Sequence, residues 1–311
     1  MATELKGKDI LRADQLSVAE VNLIMETAAR FEGVLQAGGR LQNMAGKVLA
    51  TLFYEPSTRT RLSFETAMLR LGGQVISVAE AKSSSSAAKG ETLFDTGKMI
   101  EAYSDVAVIR HPVVGSAQEL ADGSSVPVIN GGDGAGQHPT QALLDLYTIR
   151  KEKGRVEGLT VALAGDLKNG RTVHSLSTLL ANFGVRFYFV APQALSMPAE
   201  ITAGLRQRGV EIVETTDLAE AAAKSDVLYM TRIQKERFAD PAEYERLKDS
   251  YIVDAALIKK AKQGITLMHP LPRVNEIAKE VDSYEGAAYF RQAANGVPVR
   301  MALIALVTGQ E

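Results

Sequence analysis

Several short segments gather hydroxyls, guanidinium groups and histidines in patterns that could hold an anion. EPSTRTR (55–61) closes a β-rich run and opens a helix. At such a junction the first backbone N–H groups lack helical partners, and the helix dipole presents its positive end. Ser57, Thr58 and Thr60 add hydroxyl donors there, and Arg59 adds a planar fork suited to phosphate. The plainer alternative is a serine N-cap followed by arginines on a surface helix. GGDGAGQHPTQ (131–141) joins a glycine-rich loop to a helix start carrying His138 and Gln141. No GxGxxG register fits residues 131–137, so it is not a dinucleotide fingerprint.

The second half of the chain carries its own candidates. GDLKNGRT (165–172) matches the phosphate-loop pattern GxxxxGK[ST] except that Arg171 stands in place of lysine. A guanidinium does not replace the point charge that reaches into such a cradle, so Arg171 reads better as a strand-end receptor for a carboxylate. Arg232-Ile233-Gln234 and HPLPR (269–273) follow two further apolar runs, and Arg110-His111-Pro112 follows one in the first half. AKSSSSAAKG (81–90) reads either as a flexible linker or as a lid tipped with Lys89. All four histidines, at 111, 138, 174 and 269, fall at strand ends or in the first turn of a following helix. No HxxxH pair or carboxylate-rich ligand spacing accompanies them, so no metal site is expected.

Five cations at ligand edges, Arg59, Lys89, Arg110, Arg171 and Arg232, imply a strongly anionic ligand with a phosphate and carboxylates. No carboxylate pair or serine–histidine–aspartate order stands out. Positioning and electrostatics are therefore favoured over covalent catalysis.

Short apolar runs alternate with helical patterns along nearly the whole chain. The predicted strands are 47–54, 74–79, 105–110, 126–130, 159–165, 185–192, 210–214, 226–231, 251–254 and 265–269. Such spacing reads as βαβ units around parallel sheets, whose ligands bind beyond the carboxyl ends of the strands. Ser17 and Glu20 have capping-box spacing ahead of an apolar stripe through Val21, Ile24, Ala28 and Phe31. The charged RKEKGR (150–155) divides the chain into domains at 1–150 and 151–290. The apolar C-terminal helix, about 291–311, is open to packing back on the first. The expected class is α/β, two doubly wound parallel-sheet domains with the active site in the cleft between them.

Composition narrows the function further. The 311 residues include 35 basic and 37 acidic side chains, a formal charge of −2, which gives no support to a nucleic-acid tract or an anionic-membrane surface. Zero cysteines exclude a disulfide scaffold, a thiolate nucleophile and a sulfur-based zinc site, and fit a cytoplasmic setting. The longest apolar run, MALIALV (301–307), is far shorter than the roughly 20 residues that span a bilayer.

Taken in order, EPSTRTRLSFE, KGET, RHP, QHPTQALLDLYTI, GDLKNGRTVHSL, YMTRIQKER and HPLPRVNEI resemble the catalytic chains of the aspartate carbamoyltransferase family, from about residue 8 to about 308. Ornithine carbamoyltransferases are similar in the first half but carry a cysteine in an HCLP motif, where this chain has His269-Pro270-Leu271-Pro272. The resemblance implies a carbamoyl phosphate-binding domain followed by an aspartate-binding one, and an early step of pyrimidine biosynthesis. It implies that Ser57, Thr58, Arg59 and Thr60 hold the phosphate, while Thr60, Arg110 and His138 polarise the carbamoyl carbonyl. Gln141 and the backbone at Leu271 and Pro272 would bind the carbamoyl end. Arg171 and Arg232 would take the aspartate carboxylates, with Gln234 beside them. Lys89, and a serine near Ser85, would arrive from a neighbouring subunit of a homotrimer, alone or in a larger assembly with regulatory chains or dihydroorotase. No cofactor is implied. Other readings are a transcarbamoylase with another amine acceptor and, more distantly, a nucleotide-binding protein.

Overall fold

The computed structural model describes residues 5–81, 89–235, 238 and 240–311. They form two units, Met1–Leu144 with Asn295–Glu311, and Asp145–Ala294.

Unit 1 opens with α1 (Val18–Gln36), where Ser17 and Glu20 form the reciprocal cap their spacing predicts. Ser17 Oγ accepts the Glu20 N–H at 3.2 Å, and Glu20 Oε2 accepts the Ser17 N–H at 2.7 Å. Such a cap stabilises a helix start by about 1 kcal/mol. There follow β1 (Val48–Phe53), α2 (Thr58–Arg70), β2 (Gln74–Ala79), α3 (Leu93–Tyr103), β3 (Val106–His111), α4 (Ser116–Asp122) and β4 (Val128–Asp133). The strands are all parallel in the order β2-β1-β3-β4. Interior strands β1 and β3 bury nearly every side chain, whereas the edge strand β2 is exposed or half-buried along its length.

Helix α5 (Pro139–Lys153) carries the chain into unit 2, the boundary falling after Leu144. Unit 2 contains β5 (Thr160–Ala164), α6 (Arg171–Leu180), β6 (Arg186–Val190), α7 (Ala199–Gln207), β7 (Ile212–Thr215), α8 (Leu218–Lys224) and β8 (Val227–Met230). Then come α9 (Pro241–Leu247), α10 (Ala255–Lys260), β9 (Thr266–Met268) and α11 (Tyr289–Thr308). The parallel order is β7-β6-β5-β8-β9. The end of α11 belongs to unit 1, where Met301 through Leu306 are wholly buried as core. Among the described residues no helix is long and apolar enough to cross a membrane.

One predicted strand fails. Residues 251–254 form only an isolated bridge, in which Val253 N–H donates to Glu276 O and Val253 O accepts from Ala278 N–H, both at 2.9 Å. The next residue, Asp254, caps α10 through the Leu257 N–H, so the chain turns into a helix before a ladder can extend.

Both sheets reverse their order of strand addition once, between β1 and β3 and between β5 and β8. At such a switch point the following loops leave in opposite directions and open a crevice at the carboxyl edge. The carboxyl ends of those four strands hold or lead into Ser57–Thr60, Arg110, Arg171 and Arg232–Gln234.

Candidate active site

At the unit 1 switch point, Phe53 of β1 lies in register with Arg110 of β3, and the Tyr54 N–H donates to Arg110 O at 2.8 Å. The chain then enters α2 through Ser57, an extended N-cap residue whose side chain makes no capping hydrogen bond. Ser17, Thr92, Asp217 and Asp254 do cap their helices. Ser57 therefore leaves the first turn of α2 available to an outside acceptor. Thr58 and Arg59 are exposed, and Thr60 is buried. Partial desolvation lowers the Arg59 pKa from its ordinary value, and no ion pair holds this guanidinium among the described residues.

Arg110 is fixed from two sides. Its Nη1 donates to Gly131 O at 3.3 Å, and its Nη2 lies 3.3 Å from Glu55 Oε2. The loop after β4 is organised by buried Asp133, which accepts the N–H of Gln137 at 2.6 Å and of Gly115 at 3.0 Å. Gly134, at φ +56°, passes so close to Pro112 that a Cβ would sit 2.2 Å from the Pro112 carbonyl oxygen. This path delivers buried His138 to the mouth of α5, where its carbonyl accepts the Gln141 and Ala142 N–H groups. Half-buried Gln141 lies in the first turn. Ser57–Thr60, Arg110, His138 and Gln141 thus share the carboxyl edge of three neighbouring strands.

Sequence reasoning missed Arg300, a buried cation in the apolar α11. Its Nη1 donates to Ser63 Oγ of α2 at 2.9 Å and its Nη2 to Thr140 Oγ1 of α5 at 3.4 Å, while the guanidinium lies over the Phe64 ring. It ties together the two helix starts that carry STRT and HPTQ. Its signal was an arginine within the otherwise apolar stretch 297–307.

At the unit 2 switch point, Gly165 has φ +115°, and a Cβ there would meet the Thr231 carbonyl oxygen at 2.2 Å. The Asp166 N–H donates to Thr231 Oγ1 at 3.1 Å, and Gln234 Nε2 donates to Asn169 O at 3.3 Å. The loops bearing Arg171, Arg232 and Gln234, all half-buried, are therefore stitched to each other. The same loop contradicts the phosphate-loop alternative. Its N–H groups at Leu167 and Lys168 donate to Leu195 O, and that at Asn169 donates to the buried carboxylate of Asp166. Donors that would cradle a phosphate are spent internally.

After β9, the HPLPR segment turns two side chains inward. Buried His269 accepts the Leu271 N–H on Nδ1 at 2.8 Å and donates from Nε2 to Glu276 Oε1 at 2.7 Å. Arg273 pairs with Asp282 and donates to the Tyr289 hydroxyl at 3.1 Å. Leu271, at φ +56°, and the largely exposed Pro272 are left to present backbone. Among the other histidines, His111 accepts the Val113 N–H at 3.1 Å, and buried His174 lies 2.7 Å from Leu167 O, with burial lowering its pKa. Position at a strand end suggested chemistry for both, but their hydrogen bonds hold local turns.

Lys89 is exposed, and no described contact joins it to the cradle. Ser85 lies outside the described residues. Among the described residues, no group of three or more histidine, aspartate or glutamate side chains is arranged to hold a metal ion.

The chain matches two family models, the carbamoyl-P binding domain of aspartate/ornithine carbamoyltransferases over residues 8–151 and their Asp/Orn binding domain over residues 157–307. It is 54% identical over 304 residues to the aspartate carbamoyltransferase catalytic subunit of Thermococcus kodakarensis, covering 98% of each chain. It is 50% identical to part of a Dictyostelium discoideum multifunctional protein, matching 98% of this chain and 14% of that one. An aspartate transcarbamoylase from Trypanosoma cruzi, solved in complex with carbamoyl phosphate and aspartate, superposes with a TM-score of 0.93 at 44% identity and 98% coverage of both chains. The chain belongs to the aspartate/ornithine carbamoyltransferase family.

Proposed function

We propose that this chain transfers the carbamoyl group of carbamoyl phosphate to the amine of L-aspartate, giving N-carbamoyl-L-aspartate and phosphate for pyrimidine biosynthesis. One observation carries the choice of acceptor. The unit 2 switch point offers two arginines, Arg171 and Arg232, on interlocked loops, which suits a dicarboxylate and not a second ammonium group. The Thermococcus relative is an aspartate carbamoyltransferase catalytic subunit, and the Trypanosoma cruzi enzyme was solved with carbamoyl phosphate and aspartate.

In this reading the open first turn of α2 with Ser57, Thr58, Arg59 and Thr60 receives the phosphate. The neutral amine of aspartate attacks the carbamoyl carbon, and negative charge grows on the carbonyl oxygen. Thr60, Arg110 and His138 meet that charge, with Gln141 and the Leu271–Pro272 backbone orienting the carbamoyl amide. As the C–O bond to phosphate breaks, charge passes to the leaving group, which takes up the amine proton. Donors held at these two places stabilise the transition state more than the bound substrates. Gln234 supports the carboxylate receptors. Lys89, with a serine of the 83–86 run at or near Ser85, serves the site of a neighbouring copy in a homotrimer. A multifunctional relative, of which this chain matches one segment, supports assembly with another pathway enzyme; a cytoplasmic setting and regulatory chains complete the reading.

The test is ureido-product formation from carbamoyl phosphate, with L-aspartate and L-ornithine in parallel. Product with aspartate alone is expected. Product with ornithine alone, or with neither acceptor, overturns the reading.

A further inference from the structure

Beneath the ligand-edge loops of unit 2 runs a buried line of polar side chains. Asp145 of α5, Tyr229 of β8 and Gln292 of α11 are all essentially inaccessible to solvent. Asp145 Oδ2 accepts the Tyr229 hydroxyl at 2.8 Å, and Oδ1 accepts Gln292 Nε2 at 2.6 Å. Gln292 Oε1 accepts the backbone N–H of His269 at 2.8 Å. Thr172, next to Arg171, lies near enough to the Tyr229 phenol to lower its pKa, against the larger upward push of burial and Asp145. A backbone N–H only donates, so the Gln292 amide has one possible orientation, oxygen toward His269 and nitrogen toward Asp145. The hydrogen-bonded line therefore runs from Tyr229, against which Thr172 lies, to His269, two residues before Leu271.

Apolar side chains of similar volume could fill this space with no loss of stability, since burying a carboxylate carries a desolvation cost. What they could not do is fix direction. Each hydrogen bond specifies distance and angle, and a fully satisfied buried network specifies one geometry. We infer that Asp145 and Gln292 are positioning residues for the carbamoyl transfer. They hold the start of α6, with Arg171, and the His269–Pro272 backbone in a single fixed relation. The inference rests on the proposed function, because it is that reading which makes both ends of the line substrate-facing.

The network permits a reciprocal exchange. Asp145→Asn alone offers one acceptor oxygen where the Tyr229 hydroxyl and the Gln292 nitrogen both donate, and Gln292→Glu alone sets two carboxylates together. Combined, the new amide donates to the new carboxylate, its oxygen still accepts from Tyr229, the His269 N–H keeps its acceptor, and net charge is unchanged. Steady-state kinetics for aspartate and thermal midpoints are measured for wild type, both singles and the double variant. Each single is expected to lower kcat/KM by about 100-fold, the scale of a 1 Å misplacement, and the double to recover most of that loss. Tyr229→Phe keeps the ring and removes one bond. It is expected to raise the aspartate KM about tenfold in a protein that still folds, with a lower midpoint because the buried Asp145 carboxylate loses a donor, and it decides the matter if the singles do not fold. Unchanged kinetics in folded variants, or a double variant that regains its midpoint but not its kcat/KM, overturns the inference. A wild type that makes no N-carbamoyl-L-aspartate would instead overturn the underlying function.

Discussion

The backbone N–H of Leu271 donates to Nδ1 of His269 at 2.8 Å, and this contact sets the tautomer of a buried imidazole. With Nδ1 occupied as an acceptor, the proton sits on Nε2, which donates to Glu276 Oε1 at 2.7 Å. The other Glu276 oxygen accepts the N–H groups of Val274 and Asn275, each at 3.1 Å. The ring and its carboxylate therefore clamp both sides of the HPLPR turn. An imidazolium would carry a second N–H into the Leu271 N–H and break the clamp.

Acid should loosen this turn. Burial lowers the His269 pKa below its ordinary 6.5, Glu276 offsetting part of the effect, and burial lowers that of His174 as well. The native state then binds fewer protons than the unfolded chain as pH falls below 6.5, so stability decreases on acidification. For Glu276 burial works in the opposite direction, but hydrogen bonds from His269 and the backbone outweigh it and hold the carboxyl below 4.5. Its contribution is full above that pH and is lost as pH falls through the native value. Urea unfolding between pH 8 and pH 4 should show a plateau above about 6.5 and a decline below it. Stability that rises from pH 7 to pH 5 would contradict this assignment of protons.

Gly165→Ala should damage unit 2 out of proportion to one methyl group. The φ of +115° is strained for any L side chain, and the Cβ would lie 2.2 Å from a backbone oxygen, that of Thr231. The two loops bearing Arg171 and Arg232 would have to separate. A loss of about 3 kcal/mol or more in denaturant unfolding is expected, with activity falling alongside. A variant as stable as wild type would show that the loops are not interlocked at this point.

Removing a donor at the carbamoyl oxygen should affect turnover more than folding. Arg110→Ala and Thr60→Ala are each expected to lower kcat by about 10²–10³-fold, the usual cost of one oxyanion donor. Arg110 also bonds Gly131 O and pairs with Glu55, so a circular dichroism melt must accompany the kinetics. A fall in kcat of less than tenfold in a folded protein would remove that residue from the role.

How much of this was legible in sequence depended on distance along the chain. Ser57–Thr60 and Arg110 could be found because strand-end position alone places them at a ligand edge, and the β1/β3 reversal then makes them neighbours. The same rule misled for His174, which turns inward to the Leu167 carbonyl, and could not foresee that His269 and Arg273 would serve as braces. The predicted strand at 251–254 failed because alternation cannot register that Asp254 is committed to a helix cap. Asp145 and Gln292, 147 positions apart, carry no local signal of partnership. A polar residue within an apolar helical stretch marks a question that only the fold answers.

Arg232→Ala should separate the two substrates. Arg232 follows β8 in unit 2, on the loop that Gln234 fastens to Asn169 beside Arg171. The phosphate receptors, by contrast, belong to α2 in unit 1. Loss of one charge-assisted contact to a carboxylate costs about 1.5–3 kcal/mol, which corresponds to roughly 10–150-fold in the KM for aspartate. Binding of carbamoyl phosphate alone, followed by calorimetry, should stay within about threefold of wild type, since no unit 1 donor is altered. Arg232→Lys would keep the charge but lose the fork, so it should recover only part of the aspartate affinity. Equal weakening of both substrates in Arg232→Ala would mean that this arginine does not select the acceptor, and that the carboxylate receptor of unit 2 must be sought on another loop.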